Sequence, residues 1–390
     1  MLALLSGCGD ETTPAAPAEP PALAYVGSDA CATCHETNYQ RFVESGHPYK
    51  LTEVVGDQGP TYPWDSEHSS GAIVAQDGPP DGLPWSDFAY VIGGYGWKAR
   101  WVKKNGLVHT GAAVQLNLHA NGPEWVAYHD GEEVKYQYSC FKCHTTGASQ
   151  EGAWASETNG TFAFGGVQCE ECHGRGSQHA FSPTLFEMTI DSDKNSCGKC
   201  HTRDPGNRVL VKGGFIRHHE QFDEMVNSVH GGLDCVSCHD PHSSTVYDDV
   251  ALGNGVRSQC TDCHNEDGVG GKDYINNNSH VVSVDCVSCH MPKAAKSARA
   301  ENAYMGDIAS HTWKLNPAAV DKSTMWTSDG KFLAQDQFGH GVVTLDFACY
   351  RCHKDASGVG GSASMKSLAE LSTRATGIHD EVVPFVTLNR

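Results

Sequence analysis

Long apolar runs are missing from this chain. No segment approaches the eighteen consecutive apolar residues that a membrane-spanning helix requires, so none is read as crossing a bilayer. Hydrophobic residues make up 39% of the 390, against 42 glycines and 17 prolines, which leaves a thin apolar core for the length. Positive charge is scarce too: 28 Lys and Arg stand against 47 Asp and Glu, a formal net charge of −19. Nucleic acid and acidic membrane surfaces are therefore poor partners, and cationic sites or mineral surfaces better ones.

What the chain has in quantity is cysteine, 17 residues, and histidine, 22. Sixteen of the cysteines fall into eight Cys-x-x-Cys-His motifs. They are Cys31, Cys34 and His35; Cys140, Cys143 and His144; Cys169, Cys172 and His173; Cys197, Cys200 and His201; Cys235, Cys238 and His239; Cys260, Cys263 and His264; Cys286, Cys289 and His290; and Cys349, Cys352 and His353. This is the attachment sequence of a c-type haem. Two thiols add to the porphyrin's vinyl groups and the histidine supplies the proximal nitrogen to iron. Structural zinc, redox dithiols and disulfide frameworks also use paired cysteines, but none requires a histidine after every pair. The cofactor read from the sequence is haem c, eight copies. Eight porphyrins supply the missing apolar surface, and the haem-free chain is expected to be unfolded. With sixteen propionates and eight ferric centres the charge becomes about −27, and about −35 on full reduction.

In "DCVSCHDPH", His242 follows His239 by three residues. Two imidazoles on one iron hold their Cα atoms about 12 Å apart, taking metal–nitrogen bonds near 2 Å, whereas three residues reach only about 10 to 11 Å. His242 therefore serves a different haem. If His35 and His47 were joined by one helix they would stand about 18 Å apart, so His47 also reaches a neighbour unless the helix breaks at Ser45–Gly46. The candidate distal ligands are His47, His179, one of His218 and His219, His230, His242, His280, His311 and His379. His68, His109, His119, His129 and His340 read as ordinary histidines, and Met188, Met225, Met291, Met305, Met325 and Met365 as packing residues.

The expected fold is that of a multihaem cytochrome c: mostly short α-helices carrying the motifs, and irregular loops, wrapped around eight haems, with a small inserted antiparallel β region. Six segments follow. Residues 1–8, "MLALLSGC", look like the end of a lipoprotein signal with its lipobox cysteine, Cys8. The missing basic n-region points to a start further upstream. Residues 9–24 are a Pro/Ala-rich tether, 25–60 the first haem segment, 61–138 the insertion, 139–295 a six-haem core, and 296–390 a C-terminal segment with the eighth haem. Asn105–Gly106 and Asp130–Gly131 read as hairpin-type turns.

The phrases "YVGSDACATCHETNYQRFVESGH", "GYGWKARWV", "GVQCEECHGRGSQH" and "MGDIASHTWKLN" resemble multihaem c-type cytochromes of metal-respiring bacteria, within the superfamily of cytochrome c554 and the octahaem oxidoreductases. The resemblance implies haems in close pairs along a continuous electron path, with His179, His242 and His311 as distal ligands. Pentahaem nitrite reductases carry lysine in place of one motif histidine; all eight motifs here end in histidine. The function expected is electron transfer between other redox proteins or to extracellular acceptors such as metal oxides, in anaerobic respiration. The protein is expected to be exported and lipid-anchored at the outer membrane, on its periplasmic or cell-surface face, or extracellular. Two alternatives stand beside this. One is an octahaem oxidoreductase acting on a nitrogen or sulfur oxyanion at a five-coordinate haem, with Arg217, His218 and His219 beside it. The other is a subunit of an oligomer or filament, with His379 ligating a haem of the next subunit.

Overall fold

The structure, a computed structural model, describes residues 19–63, 78–118, 122–189, 191–245, 255–265, 267–268 and 283–379. The expectations for Cys8, most of the tether, His68, His119 and His280 fall outside these residues.

Each attachment motif is a single tight turn. Helices α1 (Ser28–Ala32), α2 (Glu36–Val43), α3 (Tyr138–Phe141), α4 (Cys169–His173), α5 (Ser177–Phe181), α6 (Lys194–Gly198), α7 (Gln221–Val226), α8 (Cys286–His290), α9 (Leu345–Cys349) and α10 (Leu368–Ala375) are all eight residues or shorter. Cys235–Ser237 and Cys260–Asp262 form 3-10 turns. The histidine N–H donates to the first cysteine's carbonyl at His35 (2.9 Å), His201 (3.0 Å), His239 (2.9 Å), His264 (2.8 Å) and His353 (2.9 Å). In a turn so closed, positions i, i+3 and i+4 share one side, which sets two thiols and one imidazole facing the same way. His144 differs, its N–H donating to Phe141 O at 2.9 Å.

The largest single element is a sheet, larger than the small β region expected. Strands β1 (Leu51–Glu53), β2 (Phe88–Gly93), β3 (Lys98–Lys103), β4 (Leu107–Val108), β5 (Gly111–Asn117), β6 (Glu124–Tyr128) and β7 (Val134–Lys135) form one antiparallel sheet. The path runs β1-β2-β3-β4-β7, with β5 joining β3 to β6. The sheet begins at Leu51, ten residues before the expected insertion boundary, because Leu51 pairs with Ile92. Asn105–Gly106 is the hairpin turn expected, joining β3 to β4 with Gly106 at φ 91°. Any Cβ at Gly106 would lie 2.2 Å from Thr158 Cγ2. Asp130–Gly131 is a turn but not a hairpin: it leads from β6 to β7, and β7 pairs instead with β4.

Two apolar clusters hold the sheet. One gathers Phe88, Val91, Ala99, Trp101 and Leu116; the other, Leu51, Val102, Val108, Tyr136 and Phe141, ties the sheet to α3 and its motif. Each such large side chain contributes about 2 kcal/mol on burial. A third cluster, with Phe215, Ile216, Ala295, Met325 and Phe347, backs β8 (Val211–Lys212), β9 (Phe215–Arg217) and β10 (Ala295–Lys296). Strand β9 pairs parallel to β10 and delivers the chain to His218 and His219. Met225 and Met325 are buried in packing roles, while Met365 is exposed.

Candidate metal centres

Among the described residues, His35, His144, His173, His201, His239, His264 and His290 each face a second histidine across a gap of one atom. Ring centroids are 6.3 Å apart for His35 and His179, 6.4 Å for His144 and His219, 6.1 Å for His173 and His242, and 6.5 Å for His201 and His47. They are 6.1 Å apart for His239 and His311, 5.9 Å for His264 and His230, and 6.0 Å for His290 and His379. Direct ring stacking would be closer. Two imidazoles bound through metal–nitrogen bonds of about 2 Å on opposite sides of one iron place their centroids roughly 6 Å apart, so the spacing fits a haem iron. His242 faces His173 rather than His239, as chain reach requires. Helix α2 ends at Val43, so the continuous helix to His47 does not form, and His47 still reaches a neighbouring motif's His201.

Between the two candidates His218 and His219, the geometry selects His219. His218 instead meets Arg203, whose Nη2 lies 2.7 Å from His218 Nε2 and whose Nε donates to His218 O at 2.7 Å. His219, with a φ of +69°, sets its ring 4.6 Å from that of His218, 6.4 Å from that of His144 and 6.2 Å from that of His201. Two of the histidines set aside in the sequence have protein partners: His109 Nε2 lies 2.8 Å from Asp81, and His129 Nδ1 contacts Glu132.

Protein groups fix the other ring nitrogen, a detail that leaves Nε2 for metal. Nδ1 lies 2.8 Å from Thr189 O at His173, 2.8 Å from Trp313 O at His290, 3.0 Å from Ser364 O at His353 and 2.7 Å from Phe186 O at His179. His201 faces Gln221 Oε1 at 3.3 Å, His144 faces Tyr136 Oη at 2.9 Å, and His242 faces Asp240 Oδ1 at 3.2 Å. Asp240 is itself paired with Arg41 at 3.3 Å. At His311 the contact is through the backbone instead: Glu224, 2% exposed, accepts its main-chain N–H. Burial, followed by Lys50, pushes the His47 and His144 pKa values down to about 3, and burial followed by His239 does the same for His311. All three are neutral imidazoles at pH 7, the form that binds metal.

The thiols meet across motifs. Cys31 lies beside Cys169, Cys143 beside Cys200, Cys197 beside Cys235, and Cys260 beside Cys286. Cys172 neighbours Cys197, Cys238 neighbours Cys263, and Cys289 neighbours Cys352. Counting motifs in chain order, the links run 1–3–4–5–6–7–8, with motif 2 attached to motif 4.

Tyr136, Gln221 and the carbonyl partners carried no signal in the sequence, since a main-chain acceptor has no side-chain signature. Asp240 did carry one, inside "CHDPH".

A thiol-bearing turn facing one histidine, with a second histidine a metal's width away, repeated along a chain, defines a haem-binding redox protein. The family described as cytochrome c554 and c-prime matches residues 101–174, and the doubled CXXCH motif matches 227–269. The dissimilatory sulfite reductase MccA of Wolinella succinogenes is 26% identical over 261 residues, 55% of this chain and 32% of that protein. The multiheme cytochrome MtrA of Shewanella baltica is 27% identical over 169 residues, 40% of this chain and 45% of that one. The chain thus spans less than half the length of either relative. Among solved structures, the outer cell wall cytochrome OcwA has a TM-score of 0.55 at 19% identity, covering 90% of this chain and 86% of that one. The octaheme sulfite reductase MccA has a TM-score of 0.51 at 16% identity, covering 88% and 66%. The chain is a multihaem c-type cytochrome.

Proposed function

We propose that this cytochrome carries electrons along eight covalently attached haems, each held between two imidazoles with no coordination position open. The seven facing histidine pairs, centroids 5.9 to 6.5 Å apart, carry this reading. Haem supplies one-electron chemistry when bound; the residues attach it, orient its ligands and close both axial positions. His280 is the candidate distal ligand for the His353 haem. The thiol contacts support an order of 1–3–4–5–6–7–8 with motif 2 as a spur, because thiols mark porphyrin edges.

The work proposed is respiratory electron transfer at the cell envelope or outer surface, to other redox proteins or to extracellular acceptors such as metal oxides, with Cys8 as a lipid anchor. Among the described residues no helix is long and apolar enough to cross a membrane. The likeness to an outer cell wall cytochrome supports the location. Filament assembly through His379 has less support, because its ring faces His290 of the same chain.

A second reading, reduction of a nitrogen or sulfur oxyanion at the His144 site, draws on Lys98, Arg100, Arg203 and Arg217, whose charges bear together on His218. The His219 ring opposite His144 counts against it. Electron paramagnetic resonance of the oxidised protein, followed by carbon monoxide addition to the reduced protein, separates the two. Only low-spin iron and no carbon monoxide adduct is the result expected; a stoichiometric high-spin signal with an adduct overturns the carrier reading.

A further inference from the structure

The surroundings of His144 differ from those of the other motif histidines in three ways. The first is the partner of Nδ1. His173, His290 and His353 aim Nδ1 at main-chain carbonyls and His201 at an amide oxygen, whereas His144 meets the Tyr136 phenol. A phenol oxygen, its lone pair shared with the ring, is a weaker acceptor than a carbonyl. The imidazole it holds is less electron-rich, and so is any iron bound to it.

The second is charge. Lys50, Arg100, Arg203 and Lys98 all act on His144. Lys98 and Arg100 are alternate residues of β3 and so share one face of the sheet. Arg100 lies over the Tyr128 ring at 3.9 Å, with its Nε donating to Gln115 Oε1 at 2.6 Å. Arg203 grips His218 beside His219. None of these contacts is a carboxylate. The carboxylates that face the group are Asp307, toward Lys98, and Glu220, toward Arg203. Asp307 already accepts from the N–H groups of Ser297, Ala298 and Arg299. Guanidinium groups do not titrate in proteins, so their charge is permanent, and permanent positive charge in a poorly solvated site favours the state with one more electron.

The third is position. Among the described residues, the thiol of another motif that neighbours this one is Cys200, beside Cys143. Motif 2 therefore stands off the line that connects the others.

We propose that Arg100, Arg203 and Tyr136 make the site of Cys140, Cys143 and His144 the most readily reduced in the chain, a side branch that holds an electron while others pass. The inference rests on the multihaem carrier reading. If it holds, the site fills first when electrons enter and empties last when they leave, and so acts as a store.

The test uses the mature holoprotein. Haem content and the oxidised resonance spectrum come first, because a failure of the carrier reading appears there, before any titration. Redox titration followed by absorption and resonance spectra is then run on the wild type, Tyr136→Phe, Arg100→Met and Arg100→Lys. Tyr136 touches a ligand through His144, so the component that moves in Tyr136→Phe is the His144 site. That component should be the first reduced in the wild type. Arg100→Met should weaken its reduction about tenfold, a shift of ~59 mV for a one-electron couple, while Arg100→Lys holds it in place. If Arg100→Met matures with less haem than the wild type, Arg203→Met carries the same comparison. A tagged component that is not the first reduced, or one unmoved by loss of the charge, overturns the proposal.

Discussion

His173 and His242 face each other with ring planes 7° from parallel and centroids 6.1 Å apart, although they lie in the motif regions of two different cysteine pairs. Replacing His242 by alanine should open one axial position and leave the others closed. The expected result is one high-spin iron per chain and one carbon monoxide adduct on reduction, read by resonance and absorption spectra. His129→Ala, which loses contacts with Glu132 and the Tyr128 ring, should leave both spectra unchanged.

His219 rather than His218 should behave as the ligand opposite His144. His219→Ala should give the same single high-spin signal, while His218→Ala, losing its bond to Arg203, should keep all sites low-spin. The opposite outcome would reverse the assignment.

Five of the seven facing pairs lie near the extremes of ring angle, while His144 with His219 (55°) and His239 with His311 (45°) lie between. His35 with His179 (18°), His173 with His242 (7°) and His290 with His379 (22°) are near parallel, whereas His47 with His201 (82°) and His230 with His264 (75°) are near perpendicular. Parallel axial planes give rhombic low-spin spectra and perpendicular planes strongly anisotropic ones, so the oxidised protein should show both types. A single uniform low-spin spectrum would contradict the ring arrangement.

Acid should loosen the fold and release ligands together. His47, His144 and His311 have folded pKa values of about 3 against an ordinary 6.5, chiefly through burial. Between these values the unfolded chain binds more protons, so stability is full above pH 6.5 and is lost as the pH falls toward 3. Thermal melting followed from pH 7 to pH 3 should decline over that interval, and the low-spin signal should convert to high-spin near its lower end.

Asp240→Asn should move one potential upward. The Asp240 carboxylate faces His242 Nδ1 and draws on its proton, which makes the imidazole a stronger donor and stabilises oxidised iron. Weakening that contact should favour reduction of one component by up to about tenfold, ~59 mV, in a redox titration. No shift would mean that the Arg41 ion pair already cancels the carboxylate's effect.

The attachment sites were legible in the sequence because their geometry is local: one turn fixes two thiols and an imidazole. The reach argument at His242 was legible for the same reason, since three residues set a hard upper length. Which iron each distant histidine meets was not legible. His47 facing His201, or His311 facing His239, depends on how separate segments dock around shared prosthetic groups, and no spacing encodes that. The sheet was underestimated because β1 and β7 are only three and two residues long and owe their place to partners elsewhere in the sequence. Asp130–Gly131 has the composition of a hairpin turn, yet pairing with β4 decides where the following strand goes.

The facing pairs also knit the chain through itself. His47, near the start, faces His201; His179 faces His35; His379 faces His290, so each proposed centre draws on separate stretches of chain. No cut between motifs leaves both flanking pieces whole, so the protein should resist division into smaller working cytochromes. Its assembly must wait for late-made segments to return to early ones, which makes ligand exchange during biogenesis, rather than thioether formation alone, a step that its maturation has to manage.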